Sequence, residues 1–569
     1  MELVPSLLLK ALEFCLESRL LIDKLAASFR QCHYQPTLSK RDTEIPLVPD
    51  TTSPSDGKTK RRGRRSERVR EQATAEVKAP VWPGVAGGRY RPLDQTQEEQ
   101  VKETAFDLLE NLGLSQATSS MIEKVTARGG YLDDKDRLHF PRELVNWAIS
   151  GARRDVVLYA RRQDWDLDLS GDRIHTSSGG GAPGVFDLET GTYRLGTVQD
   201  LHHAAKLVDK LDNIHHFSRS IIARDTDSDL QLDINTAYAC LAGTGKHISI
   251  SVTDPANMQA VASMCYQVAG SEAAFRKRPF VTIMVCHVVP PMRFATDACE
   301  TLELAIQAGF PVQIISAGQA GATSPVTLAG SLVQAVAETL AGFVFSRLVD
   351  ENVAAIFAPK PLVADLRTGA MCGGGGEQAV LMAGAAQMGR YFDLPTSSIA
   401  GITDAKTLDT QFGAEKTLAV TLAAQAGSNL ITQSCGMQAS LLGVSLEAYA
   451  ADNDMLGNIL RTVRGIEVDH TTLSVESIAE VCHGEGHYLG HPDTLERMKS
   501  DYFYPLLGDR QTPTDWQDNG AVDLHSRARE WTRDTLENYF PDYISETLDN
   551  KLRSEHDIVL ARSGMVRSE

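Results

Sequence analysis

The chain has 569 residues and a formal net charge of −18, yet its run at 58–70 contains eight Lys or Arg and one Glu. The remaining residues therefore carry a net charge of −25. This negative charge would repel a phosphate backbone, which excludes a nucleic-acid-binding protein. Nine cysteines without framework spacing exclude a disulfide scaffold and favour reduced thiols in the cytoplasm.

The first 86 residues are predicted to be an extension of the folded body. Glu2, Lys10 and Glu13 interrupt the apolar opening stretch, so it indicates an amphipathic helix and not a secretory signal. Residues 34–86 are rich in Pro, Ser, Thr and charged side chains, which predicts a largely disordered, basic leader. No uninterrupted apolar run reaches membrane-spanning length, so we expect a soluble protein with no membrane partner.

Residues 87–212 are predicted to form a helical and β appendage. Short strand patterns and turns occupy 156–194 and include the glycine-rich stretch 177–184. Helical spacing of apolar residues is found at 96–112, 119–128, 141–152 and 197–211.

From residue 213 onward, strand patterns alternate with helix patterns. The predicted strands are 214–220, 247–252, 281–286, 312–317, 353–358, 396–401 and 429–434. The predicted helices are 256–269, 295–308, 326–341, 377–391, 408–426 and 446–463. This alternation predicts parallel βα units, and seven of them favour a closed (β/α)8 TIM barrel over residues 213–491. We take 466–475 as the eighth strand and 492–569 as a C-terminal helical extension.

Polar residues follow several of these strands, where a parallel barrel places its active site. His287 follows the third strand, Gln319 the fourth, Asp404 and Lys406 the sixth, and Gln433 closes the seventh. Because these strand ends converge on one mouth, His287 and Asp404 are candidate catalytic residues, and the other three are candidate substrate ligands. Each has a structural alternative, since Asp404 is as well suited to cap a helix as to touch a substrate.

A run of four glycines at 373–376 precedes Glu377 at the start of a predicted helix. The run lacks the Lys and Ser/Thr of a phosphate loop, which disfavours a nucleotide-binding site. Its backbone N–H groups could instead bind a carboxylate, as could the ammonium of Lys406. Glu377, Gln411 and Phe412 complete the candidate substrate-binding set. Glycines interrupt the Cys and His residues near 482–491, so we predict no metal site there.

Four stretches carry a family resemblance in combination: GGRYRPL (87–93), ADLRTGAMCGGGGEQA (364–379), ITDAKTLDTQFGAEK (402–416) and GHYLGHPDTLERM (486–498). Together they resemble the trimethylamine methyltransferase family of corrinoid-dependent methyltransferases, over roughly residues 87–539. The resemblance implies a (β/α)8 barrel and a partner protein that carries a corrinoid (cobalamin) and presents Co(I) at the barrel mouth. It also implies a small methylated amine as substrate and no permanently bound cofactor.

One departure from the family narrows the substrate. Family members that demethylate trimethylamine use pyrrolysine, and this chain contains only ordinary residues. A tertiary amine must be protonated or covalently activated before it can leave, whereas a quaternary ammonium leaves as a neutral tertiary amine. We therefore expect a quaternary amine such as glycine betaine or a related betaine, with trimethylamine or another methylamine as the first alternative.

Two other functional classes remain open at this point, because barrels host many reactions. A barrel lyase or hydrolase would use His287 and Asp404 as acid and base, and a required divalent metal would favour it. A non-catalytic methylamine-binding protein would bind its ligand without turnover. In every case we expect a cytoplasmic homo-oligomer.

Overall fold

The computed structural model describes residues 90–484, 486–498 and 500–566. The chain divides into two units, residues 1–85 and 86–569, and the described residues belong to the second unit. The predicted basic leader and the first residues of the motif at 87–93 lie outside the described residues.

Strands in the described part of the chain are two to six residues long. They are β1 (Leu114–Ser115), β2 (Tyr131–Leu132), β3 (Arg137–His139), β4 (Val157–Leu158), β5 (Leu167–Asp168), β6 (His175–Thr176), β7 (Gly184–Phe186), β8 (Tyr193–Leu195), β9 (Phe217–Ser218), β10 (Ile248–Ile250), β11 (Val281–Cys286), β12 (Val312–Ser316), β13 (Gln319–Ala320), β14 (Ala355–Pro359), β15 (Leu362–Val363), β16 (Ser397–Ile399), β17 (Leu430–Thr432), β18 (Met437–Gln438) and β19 (Gly443–Ser445).

Helices alternate with the strands through the middle of the chain and dominate both ends of the described part. They are α1 (Gln95–Asp107), α2 (Ser119–Ala127), α3 (Arg142–Ser150), α4 (Val198–Lys210), α5 (Asp229–Gly243), α6 (Met258–Ala269), α7 (Glu272–Lys277), α8 (Thr296–Gln307), α9 (Leu328–Val349), α10 (Gly376–Tyr391), α11 (Thr410–Gln425), α12 (Leu446–Arg464), α13 (Val475–His483), α14 (Pro492–Arg497), α15 (Pro513–Asp518), α16 (Leu524–Asn538) and α17 (Glu546–Glu555).

Eight parallel strands of the described chain close into a ring at the centre of the fold. Their order around the ring is β6, β9, β10, β11, β12, β14, β16 and β17, and β17 pairs with β6 again. Two parallel bridges, Phe357 with Thr396 and Ser177 with His216, join the open edges of the two ladders. The TIM-barrel prediction is therefore confirmed, and the seven predicted strands all occur within their predicted ranges or one residue beyond.

The predicted position of the eighth strand is wrong. The remaining barrel strand is β6, which precedes the other seven in the chain and lies in the region assigned to the appendage. Residues 466–475 form no strand because Asp469 Oδ1 accepts hydrogen bonds from the backbone N–H groups of Thr471 and Thr472 (2.8 and 2.9 Å), which closes a turn. The barrel therefore begins near residue 175 and not at 213.

Helix α9 is apolar on every side because it is covered on every side. It packs on β12 and β14 inside and against α1, α2 and α3 outside. It is long and apolar enough to span a membrane by length and composition alone, but 83% of its most apolar window is buried within the protein. The N-terminal appendage thus supplies the outer cover that a barrel helix of this composition requires.

The two ends of the barrel are built differently. A hairpin of β4 and β5 closes the amino end, where Leu158 and Leu167 pack with Ile356 of β14 and Leu430 of β17. At the carboxyl end, loops form a second tier in which β13 pairs with β15 and β19 pairs with β7. The β4–β5 hairpin therefore closes the amino end of the barrel, and loops that pair with one another surround the carboxyl end.

Candidate active site

The lumen of the barrel is polar and contains two neutral imidazoles. His216 Nε2 lies 2.9 Å from Ser249 Oγ, and His247 Nε2 lies 2.8 Å from Thr282 Oγ1. His247 Nδ1 donates to a backbone carbonyl (2.7 Å), so Nε2 accepts from the threonine hydroxyl. Burial lowers the pKa of His247 to about 4 and holds that of His216 well below its usual value. Both rings are therefore uncharged at neutral pH.

Lys360 lies just after β14 and is only 3% exposed. Its Nζ donates to Gln313 Oε1 (3.0 Å) and Thr432 Oγ1 (2.9 Å). No carboxylate of the described residues pairs with it, and burial lowers its pKa to about 7. A neutral amine has two N–H donors, so these two acceptors satisfy it fully. Lys360 could not be predicted as a lumen residue, because nothing in the local sequence shows that its side chain points inward.

Solvent reaches the carboxyl end of the lumen. Along β11 the residues that pack against helices are buried, whereas Met284 is half-buried and Cys286 is exposed. Ile315 on neighbouring β12 is also half-buried. Desolvation by the surrounding protein nevertheless raises the pKa of the Cys286 thiol. An accessible thiol that protein surrounds lies on the wall of a cleft, so the lumen opens at the mouth.

Asp404 connects the loops around this mouth. Its Oδ1 accepts from Gly373 N (2.8 Å) and Ser440 Oγ (2.6 Å), and its Oδ2 accepts from Gly374 N (3.3 Å). The glycines are required for this approach, since a Cβ on Gly373 would lie 2.2 Å from a methyl carbon of Ile402. Asp404 therefore holds the glycine run 373–376 against the loop that follows β16.

The other predicted residues near Asp404 divide into exposed and buried groups. Lys406 is exposed and, among the described residues, donates to the Asp404 carbonyl alone (2.6 Å). Gln411 is also exposed and donates to Glu415 (2.8 Å). Glu377 is exposed in the first turn of α10. Phe412 is buried, with Lys416 Nζ 4.8 Å from its ring centroid. These residues form one cluster with Asp404 on the rim.

Gln319 and Gln433 lie in two further loops at the carboxyl end. Gln319 is in β13, and its Nε2 is buried with no hydrogen-bond partner among the described residues. Gln433 has a φ of 60° and is 7% exposed. Its amide fits best with Oε1 accepting from Gly180 N (3.1 Å) and Nε2 donating to Thr432 O (3.0 Å). Gln433 thus ties β17 to the glycine-rich loop that follows β6.

His287 lies away from the Asp404 cluster. Its Nε2 donates to the backbone carbonyl of Glu338 in α9 (2.9 Å), and a Cβ on Gly342 of the same helix would meet its ring at 2.4 Å. Burial lowers its pKa to about 4. Within the described residues no contact joins His287 to Asp404, so the structure does not assemble these two as an acid and base pair.

A closed (β/α)8 barrel with a polar lumen open at the carboxyl ends of its strands defines an enzyme that handles a small molecule inside the barrel. A family model described as trimethylamine methyltransferase (MTTB) matches residues 60–562. The chain belongs to this trimethylamine methyltransferase family, as the four sequence motifs predicted, and it is a methyltransferase.

Several relatives and solved structures resemble the chain over most of its length. It is 30% identical to trimethylamine methyltransferase MttB of Desulfitobacterium hafniense strain DCB-2, over 87% of this chain and 99% of the relative. It is 25% identical to glycine betaine methyltransferase of D. hafniense strain Y51, over 82% and 96% of the two chains. The monomethylamine methyltransferase MtmB of Methanosarcina barkeri is 12% identical over 79% and 88%, with a TM-score of 0.46.

Proposed function

We propose that this methyltransferase moves a methyl group from a quaternary amine, such as glycine betaine or a related betaine, to the Co(I) of a corrinoid protein. The observation that carries the proposal is the neutrality of the lumen. Burial keeps His216 and His247 uncharged at neutral pH, and it lowers the pKa of Lys360 to about 7, so that a large fraction of this amine is also uncharged there. A quaternary ammonium is always a cation. It meets no positive charge from the two imidazoles and a reduced positive charge from the lysine.

The leaving group supports the same substrate class. A quaternary ammonium departs as a neutral tertiary amine, so the site needs no proton donor. The two lumen imidazoles are held in their unprotonated forms, which suits a reaction without proton transfer. The similarity to a protein named glycine betaine methyltransferase is consistent with this choice.

The corrinoid cofactor, carried by a separate protein, would supply a nucleophilic cobalt at the open mouth. The chain's own residues hold the methylated nitrogen and exclude water from it. Met284, Cys286 and Ile315 line the accessible wall, and Asp404 orders the rim by joining three loops. A mouth that solvent already reaches fits approach by a partner protein.

Methyl transfer to reduced cobalamin, followed by its absorbance change, tests the proposal. Glycine betaine, related betaines and trimethylamine would be offered in parallel, with a matched corrinoid protein present. We expect a betaine-dependent signal and none with trimethylamine. A signal with trimethylamine alone would favour the second candidate, which the similarity to MttB supports. Silence with every amine would contradict the proposal, and ligand binding without turnover would then indicate a binding protein.

We also propose that the protein is a cytoplasmic homo-oligomer. Exposed apolar side chains concentrate between residues 466 and 506, and they include Ile466 (91% exposed), Leu489 (77%) and Val468 (71%). A soluble monomer seldom leaves so many large apolar side chains uncovered. We propose that a second copy of the chain packs against residues 466–506.

A further inference from the structure

Lys360 and Gln313 form a polar pair inside the barrel. Gln313 precedes half-buried Ile315 on β12 by two residues, and alternate residues of a strand share a face, so its side chain also points into the lumen. Lys360 contacts Gln313 of β12 and Thr432 of β17 (3.0 and 2.9 Å). Strands β14 and β16 separate β12 from β17 around the ring, so a side chain that contacts both must lie in the lumen.

The pair lies next to the accessible part of the lumen. The backbone N–H of Lys360 donates to Ser316 O (2.8 Å), which places this residue at the carboxyl end of β12. Its side chain reaches back to Gln313, directly below Ile315. Ile315 is in register with Cys286 of β11, the exposed residue of the lumen wall. A small molecule that enters past Cys286 and Ile315 therefore meets Lys360 and Gln313 next.

This pair has N–H donors without acceptors. Gln313 is fully buried, and its Nε2 has no hydrogen-bond partner among the described residues. A protonated Lys360 would have three donors, of which Gln313 Oε1 and Thr432 Oγ1 use two. A buried donor without an acceptor costs free energy, so the amide and the ammonium would each gain from an anion bound between them.

The titratable groups around Lys360 do not supply this anion. Strands β12 and β17 present to it an amide and a hydroxyl. Cys286 keeps its proton because burial raises the pKa of its thiol, and burial keeps His216 neutral by lowering its pKa. Glu338, whose charge acts on Cys286, already accepts from Ser316 Oγ (2.5 Å). The acceptor that would complete the pair must therefore come from a ligand.

The direction of approach determines which end of a ligand reaches the pair. Because the proposed acceptor protein approaches the open mouth, the methyl group to be transferred must point outward. The other end of the ligand then points inward, toward Lys360 and Gln313. The wall beside the methylated nitrogen consists of Met284, Cys286 and Ile315, and burial keeps the thiol among them uncharged.

We propose that Lys360 and Gln313 bind the carboxylate of the substrate and direct its methylated nitrogen toward the mouth, so that the enzyme selects quaternary amines that carry a carboxylate. The inference rests on the proposed methyl transfer and deepens it. One carboxylate oxygen accepts from the ammonium of Lys360 and the other from the amide of Gln313. A zwitterion brings its own anion, so the charge of the lysine is compensated only when the substrate is bound.

This site couples substrate binding to a proton. Burial lowers the pKa of free Lys360 to about 7, so at pH 8 most of this amine is uncharged. A bound carboxylate favours the ammonium form and raises this pKa, so the lysine takes up a proton from solvent as the substrate binds. The affinity for a carboxylate ligand should therefore be highest below pH 7 and decline as the pH rises above 7.

Binding calorimetry on the full chain tests the site with glycine betaine and choline, which share a trimethylammonium head and differ in the carboxylate. We expect Lys360→Gln to weaken glycine betaine binding roughly 10- to 100-fold and to leave choline binding unchanged. Lys135→Gln is the matched control, because Lys135 is exposed in the N-terminal appendage, and it should bind both ligands as the parent does. Equal losses of both ligands in K360Q, or unchanged betaine binding, would overturn the inference.

Proton uptake gives a readout that a structural role would not change. Glycine betaine titrations at pH 8 in two buffers of different ionisation enthalpy should show uptake that approaches one proton per site in the parent. K360Q should show none, and choline should cause none in either protein. Betaine binding by the parent without proton uptake at pH 8 would contradict an ion pair with Lys360.

Two other variants test the geometry. Gln313→Glu places a carboxylate beside Lys360 Nζ, so it should pair with the lysine, exclude glycine betaine and spare choline. Lys406→Gln tests the rim lysine for the same role, and a loss of betaine binding there with K360Q unaffected would overturn the inference. Absence of methyl transfer by the parent, with Lys360-dependent betaine binding and proton uptake intact, would refute the proposed function but not this site.

Discussion

Buried bases define the chemistry of this barrel at the scale of single residues. Burial lowers the pKa of Lys360 to about 7, and no carboxylate of the described chain stabilises its ammonium form. Two acceptors satisfy the two N–H groups of the neutral amine. His247 is neutral because burial lowers its pKa to about 4, and a hydrogen bond from its Nδ1 to a backbone carbonyl fixes its tautomer. Protonating a buried base costs free energy because the charged form is desolvated. The lumen therefore carries little positive charge that would repel a cationic ligand.

The buried histidines predict an acid-sensitive fold. The pKa values of His247 and His287 are about 4 in the folded state, and the unperturbed value is 6.5. Above pH 6.5 both states are unprotonated and stability is unaffected. Between pH 6.5 and 4 the unfolded chain binds protons first, so the free energy of unfolding falls by up to about 1.4 kcal/mol per pH unit for each histidine.

Urea unfolding at pH 7, 5.5 and 4.5 measures this dependence. His247→Gln removes one titrating group and should make the slope shallower by up to about 1.4 kcal/mol per pH unit, whatever its effect on stability at pH 7. An unchanged slope in that variant would contradict the assignment of His247 as a buried neutral base.

Asp404 is predicted to order the rim. Asp404→Ala removes acceptors from Gly373 N, Gly374 N and Ser440 Oγ, so we expect a loss of about 1–3 kcal/mol in unfolding free energy. Faster amide hydrogen exchange at the two glycines should accompany it. Lys406→Ala is the control, because its exposed ammonium donates to a backbone carbonyl and to no other group of the described part of the chain. It should change the free energy of unfolding by less than about 0.5 kcal/mol. Equal effects of the two variants would refute the role.

At the scale of elements, a buried ion pair joins α11 to α12. Lys416 Nζ lies 2.9 Å from Asp452 Oδ2, and neither side chain is exposed. Burial raises the pKa of Asp452 to about 6, against the opposing effect of the lysine charge. The pair therefore fixes how two barrel helices meet, at a large desolvation cost.

This geometry predicts that one half of the pair cannot be removed alone. Lys416→Met leaves a buried carboxylate without its cation and should cost about 3–5 kcal/mol in unfolding free energy. The double variant K416M/D452L removes both charges and should recover most of that loss. Denaturant unfolding of the parent, the two single variants and the double variant gives the interaction free energy between Lys416 and Asp452. If the losses of the two single variants simply add in the double variant, the two side chains do not stabilise each other.

At the scale of the whole molecule, the folded body is expected to be independent of the leader. The composition of residues 34–86 gives little apolar surface to bury, and the described residues begin at Tyr90. A variant that starts at Lys78 should keep the Tm and the methyl-transfer rate of the full chain. Loss of soluble protein on truncation would refute this.

The apolar stretch 466–506 predicts assembly. Charged substitutions at Ile466 and Leu489 (I466E/L489E) should lower the molar mass measured by light scattering, because they place charge in the proposed contact between copies. Methyl transfer to free cobalamin should persist in such a variant. An unchanged mass would refute the contact, and selective loss of transfer to the corrinoid protein would assign the stretch to that partner.

The sequence by itself determined the barrel, since apolar strands such as 281–286 alternate with helices at a spacing that only parallel βα units satisfy. It also determined the family, because the four motifs at 87–93, 364–379, 402–416 and 486–498 occur together. It could not locate β6, which has two residues, His175 and Thr176, and whose strand character comes from its neighbours β9 and β17.

Only the tertiary structure decided which polar residues face the lumen and which have partners. Asp404 was found from its position after a strand, but its role as a link between loops depends on Gly373 and Ser440, which are 31 and 36 residues away. Lys360 carries no local signal, because its burial and the absence of a carboxylate partner among the described residues are properties of the packed chain. Desolvation is a sum over distant neighbours, and no window of sequence contains it.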